Sequence, residues 1–282
     1  MTAVWAWADL GDDCLQQYNI RQYWLLMSVL SVKKFNPDWK RVFIVDQITY
    51  DFIISRSWQI LWDEVKIIDF KNTEYGDLTK ISIYSWPKIY SYGLIDDDML
   101  VMDIDIVFLK PFEIPDRNKV CGQYYNFMNY ITNRADEPAF NMRGHWPAVI
   151  RAFKFMDKYN LGLNYRFEQD TVILVGSPIY IPKGLGKYIQ TEVLEHIIEV
   201  ETLDRRYSNK LISADVFWAI EEEYPITEIG KRCKGICCLN RNLYRHGFTN
   251  SCYWNIDAGF PKPEALLEIP VYEKYLKPYE NF

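Results

Sequence analysis

The residues whose type and spacing could do chemistry are Asp103 and Asp105, in the run DDDMLVMDIDIVFLKPF at positions 96–112. Met99 to Met102 precede the pair, and Ile106, Val107, Phe108 and Leu109 follow it. A carboxylate in such apolar surroundings costs several kcal/mol unless it is paired or binds a cation. In an extended segment, residues i and i+2 point to the same side. Two carboxylates on one side repel each other unless a positive charge lies between them. Oxygen-only ligands of this kind suit hard divalent ions, Mg²⁺ or Mn²⁺, which also bridge phosphate oxygens. The competing reading is an edge strand whose aspartates face water, and the apolar flanks weaken it. Asp96, Asp97 and Asp98, at the amino end of the same strand, read as a solvated turn.

The elements that must position this pair alternate in type. Ala3 to Ala8 reads as a strand, and residues 16 to 34 carry Ile20, Tyr23, Trp24, Met27 and Leu30 at helical spacing. Arg41 to Val45 is a second strand, closed by Asp46, and Val65 to Ile68 is a third. A helical pattern runs from Leu78 to Tyr92, with Pro87 as a kink or break. Met99 to Met102 is a continuous apolar run, as in a parallel strand covered on both faces. The order β-α-β-α-β-α-β predicts an α/β fold, a mostly parallel central sheet flanked by helices. Its ligands gather at the carboxyl ends of the strands. Asp46 lies on that edge, either to meet a ligand or to cap the following turn.

The second half is less regular. Val120 to Tyr125 reads as a strand, and Pro147 fits the first turn of a helix ending near Tyr159. Gly186 to Glu201 and Leu211 to Glu223 read as helices, and a helical tail follows Pro261. With no repeat, low-complexity tract or linker, a single domain over 1–282 is expected.

Charge and composition exclude some functions. The net charge is −6 and the densest basic groups are short, so the basic stripe of a nucleic-acid binder is missing and such a partner is disfavoured. Residues 1–8, MTAVWAWA, lack the basic start and long apolar core of a secretory leader. No apolar run approaches the ~20 residues of a membrane span. Cys233, Cys237, Cys238 and Cys252 fit no common zinc spacing and read as small buried hydrophobes. A reducing, cytoplasmic setting is expected (that of the host, if the chain is viral).

The succession of helix, acidic turn, apolar strand, D-x-D, and a short strand ending in Lys110-Pro111-Phe112 resembles the GT-A glycosyltransferases. These include glycogenin-like and capsular-type transferases, metal-dependent enzymes that use nucleotide-sugar donors. Phe140-Asn141 in EPAFNMRG resembles the turn that lies near the transferred sugar, and His246 in LYRHGF resembles the third metal ligand of glycogenin-like members. The resemblance implies a Rossmann-like GT-A domain, with 1–112 binding the nucleotide sugar and 113–282 the acceptor. It implies Mn²⁺ (or Mg²⁺) held by Asp103, Asp105 and His246. A nucleoside-diphosphate sugar, a UDP-sugar first, would meet Asp46, Lys88, Asp103 and Asn141. For Lys88 the alternative is an ordinary surface lysine.

The acceptor would be a glycan, a protein or another hydroxyl compound, taking a hexose or a pentose. Phe167-Glu168-Gln169-Asp170 resembles an acidic segment brought to the sugar. Glu168 or Asp170 would then deprotonate the acceptor in an inverting reaction, or simply form an acidic first helical turn. Two other functions compete. A nucleotidyltransferase-like enzyme would carry a Gly-rich basic loop after the first strand, where this chain has WADLGDDCLQQ. A non-catalytic carbohydrate-binding relative would keep the fold without metal affinity.

Overall fold

Alternating strands and helices build one central sheet over residues 1–9, 19–81, 86–108, 110–126, 172–207, 222–240 and 243–246, the part described by the computed structural model. The strands are β1 (Thr2–Trp7), β2 (Lys40–Val45), β3 (Glu64–Ile67), β4 (Met99–Met102), β5 (Ile106–Phe108), β6 (Val120–Asn126), β7 (Val172–Ile181), β8 (Ile236–Cys238) and β9 (Tyr244–His246). Seven form a sheet in the order β3-β2-β1-β4-β7-β6-β8, and β5 and β9 form a separate ribbon. β1 pairs in parallel with β2 and β4, β2 with β3, and β6 with β8. Within this sheet β7 runs against its neighbours β4 and β6. The sheet is therefore mostly parallel, and β4 lies where the parallel half meets the antiparallel insertion.

Side-chain alternation sorts the core onto two faces. Ala3, Trp5, Phe43, Leu100 and Met102 pack with α1 (Asn19–Phe35) and with Phe52 and Ile53 of α2 (Gln47–Ser55). Val4, Val42, Ile44, Met99 and Val101 pack on the other face. Their partners there come from α3 (Trp86–Ser91), α4 (Gly186–Tyr207) and α5 (Tyr224–Cys233). All four residues of β4 are buried, as a strand covered on both sides must be.

Several elements differ from the sequence reading. The helix expected from Leu78 to Tyr92 is a 3₁₀ turn at Gly76–Ile81, then α3, then a 3₁₀ turn at Tyr92–Leu94, with 82–85 outside the described residues. Pro87 stands in the first turn of α3, where its missing N–H costs nothing, so it opens a helix rather than breaking one. β7 has no counterpart among the elements expected from the sequence. The expected Leu211–Glu223 helix falls mostly outside the described residues, and Glu222 and Glu223 lead directly into α5. The helix after Pro147 and the tail after Pro261 also lie outside them.

The cysteines need correcting too. Cys233 and Cys238 are exposed, because they end α5 and the edge strand β8. Among the described cysteines Cys121 is the buried one, and burial pushes its thiol up to about 12, far from a thiolate ligand. Cys252 lies outside the described residues. Among the described residues no helix is long and apolar enough to cross a membrane.

Candidate functional site

Asp103 is the first residue past β4. Period-two alternation puts it on the side of Met99 and Val101, the face covered by α3, α4 and α5. Its backbone N–H donates to Ser177 Oγ of β7 (2.7 Å), so the antiparallel strand fixes where β4 ends. The chain then turns rather than running on extended: Ile104 and Asp105 form a turn in which the Ile106 N–H donates to the Asp103 carbonyl (3.3 Å). The expectation that the aspartates share a side because the segment is extended is therefore corrected. Their placement comes from a tight turn, enforced by the start of β5 one residue after Asp105.

Asp105 is fully buried (0 % exposed), and β5 after it is buried throughout. Two hydrogen bonds hold this segment against α1 and the residue that follows it. The Phe108 N–H donates to Ser31 Oγ (3.0 Å) and the Phe112 N–H to Asn36 Oδ1 (3.0 Å). α1 is tied in turn to the sheet, where Trp5 Nε1 donates to Ser28 Oγ (2.8 Å). On its other edge β5 pairs antiparallel with β9, in a register that sets His246 opposite Ile106, one residue past Asp105. The chain thus returns to the aspartate turn from 140 residues away.

Lys88 of α3 reaches the same place from below. Its Nζ donates to Asp103 Oδ1 (2.9 Å) and lies 2.8 Å from Glu222 Oε1, with only 12 % of its side chain exposed. The surface-lysine alternative is thereby overturned. Fully buried Trp86, packed edge-on to Phe70 and Tyr90, anchors the helix that carries it. Burial alone would push Lys88 down, but the Asp103 and Glu222 charges outweigh it and hold the ammonium above its ordinary value. Glu222 moves up instead, because burial disfavours its charge more than Lys88 restores it.

Tyr92 completes the cluster, its hydroxyl donating to Glu222 Oε1 (3.0 Å). Burial and the Glu222 charge raise it well above its ordinary value, so it stays a neutral donor. Glycines seat it: a Cβ at Gly186 would lie 2.2 Å from the Tyr92 carbonyl oxygen, and one at Gly93 would strike Gln190. Those gaps let the start of α4 press against the Tyr92 turn.

Asp46 ends β2 on the same edge and acts as the N-cap of α2. Its Oδ1 accepts from the Thr49 N–H (2.9 Å) and its Oδ2 from the Asp9 N–H (2.8 Å). It therefore stitches the end of β1 to the end of β2, the capping alternative raised above. Asp9, buried beyond β1, joins the carboxylates along this edge.

Asn141, Glu168 and Asp170 lie outside the described residues. Among the described residues no group of three or more His, Cys, Asp and Glu side chains gathers as a metal site. The sequence reading missed Glu222, Tyr92 and Ser177. A signal existed for Glu222: it stands four and seven residues before Ile226 and Ile229, both buried, on the apolar stripe of a helix. Ser177 had none, since its partner is a backbone N–H 74 positions away.

No protein-family model matches the chain, and no curated protein does. Solved structures do. Three of the solved structures it is similar to are glycosyltransferases. PaToxG glycosyltransferase is 15% identical with a TM-score of 0.38, over 78% of this chain and 67% of that one. Galactosyltransferase LgtC, solved with donor and acceptor sugar analogues, is 13% identical with a TM-score of 0.44, over 84% and 73%. Mouse xyloside xylosyltransferase 1, in its apo form, is 10% identical with a TM-score of 0.41, over 85% and 84%.

Proposed function

We propose that this chain is a metal-dependent glycosyltransferase that moves one sugar from a nucleoside-diphosphate sugar to a hydroxyl acceptor. The observation that carries the reading is the aspartate turn at the end of β4. It holds one carboxylate fully buried and another beside an ammonium already shared with Glu222. A buried carboxylate with a second, half-buried one two residues away suits a divalent cation, and an oxygen donor set suits Mn²⁺ or Mg²⁺. Asp105 and Asp103 would hold it, with His246, whose backbone register lies beside Asp105, as a third ligand. Held by these residues, a divalent cation would supply Lewis-acid stabilisation of the charge on a departing diphosphate.

The chain's own groups do the rest. Lys88 stays protonated and offers a positive charge to the donor from the floor of the site. Asp46 holds the ends of β1 and β2 in register, fixing the rim on which a nucleoside would rest. Asn141 is assigned to the sugar, and Glu168 or Asp170 to the acceptor hydroxyl. A UDP-sugar is the first candidate donor.

The test is a thermal-shift series with Mn²⁺ and a panel of UDP-, GDP- and CMP-sugars. Stabilisation by one nucleotide class, dependent on Mn²⁺, is expected. No metal-dependent stabilisation by any of them would contradict the reading.

A further inference from the structure

Glu222 belongs to none of the roles assigned above, yet it is 4 % exposed and lies at the centre of a buried chain of polar contacts. One of its oxygens, Oε1, receives both Tyr92 Oη (3.0 Å) and Lys88 Nζ (2.8 Å). The same ammonium donates to Asp103 Oδ1 at 2.9 Å. A single positive charge is thus divided between a carboxylate that faces the site and one that does not. Glu222 is itself rigidly mounted. Its helix is tied to β7 by Thr227, whose hydroxyl donates to the Glu223 carbonyl (2.6 Å) and accepts the Leu174 N–H (2.8 Å).

From this arrangement we infer that Glu222 is a positioning residue: anchored by Tyr92, it draws the Lys88 ammonium partly away from Asp103 and so leaves that carboxylate able to ligate a cation. The inference rests on the metal site proposed above. Without Glu222 the ammonium would turn further toward Asp103. It would then compete there with a divalent ion, and the site would also lose one negative charge. A residue that served only to pack α5 against α3 would change stability and leave cation affinity alone.

The experiment is a Mn²⁺ titration of the metal-free 282-residue chain, followed by electron paramagnetic resonance, in wild type, Glu222→Gln, Tyr92→Phe and Asp105→Asn. Glu222→Gln is expected to weaken Mn²⁺ binding about tenfold, the size of coupling found between contacting groups. Tyr92→Phe should weaken it less. In a Lys88→Met background the Glu222→Gln change should shrink below about twofold, since the effect runs through the ammonium. Should Glu222→Gln fail to fold, Tyr92→Phe and Glu222→Asp carry the same comparison. Wild-type Mn²⁺ affinity in folded Glu222→Gln, with binding lost in Asp105→Asn, would overturn the inference and leave the metal site standing. If wild type binds no Mn²⁺, or Asp105→Asn binds it unchanged, the metal site itself falls and the inference with it.

Discussion

At its amino end β4 is preceded by Asp96, Asp97 and Asp98, and at its carboxyl end it is followed by Asp103 and Asp105. At the first end Asp96 stands in water, 85 % exposed, and Asp97 is half-buried. Their contacts are structural: Asp97 accepts the Thr2 hydroxyl (2.8 Å), and Asp98 Oδ1 accepts the Lys183 N–H (3.0 Å). At the other end Asp105 is fully buried and Asp103 meets a buried ammonium. The residue type is the same on both sides of four apolar residues. What differs is the strand's polarity, because the carboxyl end of a parallel sheet opens into the crevice between connections while the amino end is closed by turns. Carboxylates at the closed end secure the fold, and those at the open end carry charge that the fold does not neutralise cheaply.

The largest stability effect should come from the open end. Lys88→Met strands Glu222 in the interior beside Asp103, and removing one partner of a buried pair costs roughly 3–5 kcal/mol. Asp103 recovers some water, since 36 % of its side chain is exposed, so about 3 kcal/mol is expected. Urea unfolding measures it, and a loss below about 1 kcal/mol, the range of surface pairs, would erase the contrast between the two ends.

His196 on α4 shows what burial does where no opposing charge drives the shift. Burial pushes it down from 6.5 to about 4. A depressed folded value means stability that is fully present above the unfolded value, near 6.5, and lost as pH falls toward about 4. Over that window the loss is about 3 kcal/mol. Unfolding between pH 7 and pH 4 should be less pH-dependent in His196→Gln than in wild type. Equal slopes would mean that the histidine does not titrate as its burial demands.

A smaller effect belongs to the closed end. Burial opposes ionisation of Asp97, but the Thr2 hydroxyl and neighbouring positive charge outweigh it and lower the carboxyl below 3.8. Its contribution is therefore complete above about pH 3.8 and lost as pH falls through the lowered value. Asp97→Ala should cost about 1 kcal/mol at neutral pH, the worth of one hydrogen bond, and leave donor turnover unchanged. A change in turnover would contradict the division between the two ends.

Much of this was legible in the sequence, for a physical reason. β4 and its aspartates are a local signal: an unbroken apolar run declares a strand covered on both faces, and charges at its end declare where it emerges. β1 to β3 were readable in the same way to within a residue or two. β7 was not, because its neighbours in the sheet are decided by long-range pairing with β4 and β6 rather than by its own pattern. The extended geometry assumed for Asp103 and Asp105 failed because a turn depends on the hydrogen bond that closes it, which no spacing reveals. For Lys88, read as a donor contact, the surface alternative stayed open for a related cause. Its burial is set by Glu222, 134 positions away in sequence, since 222 − 88 = 134.

The central claim is that the open end of β4 does chemistry and the closed end does not. Asp105→Ala and Asp96→Ala, compared side by side for Mn²⁺-dependent hydrolysis of a nucleotide-sugar donor, test it most directly. The account predicts that Asp105→Ala remains folded and loses at least the roughly 10- to 100-fold that even an outer-sphere change costs a metal site, while Asp96→Ala matches wild type. Metal-dependent hydrolysis retained in Asp105→Ala would contradict it.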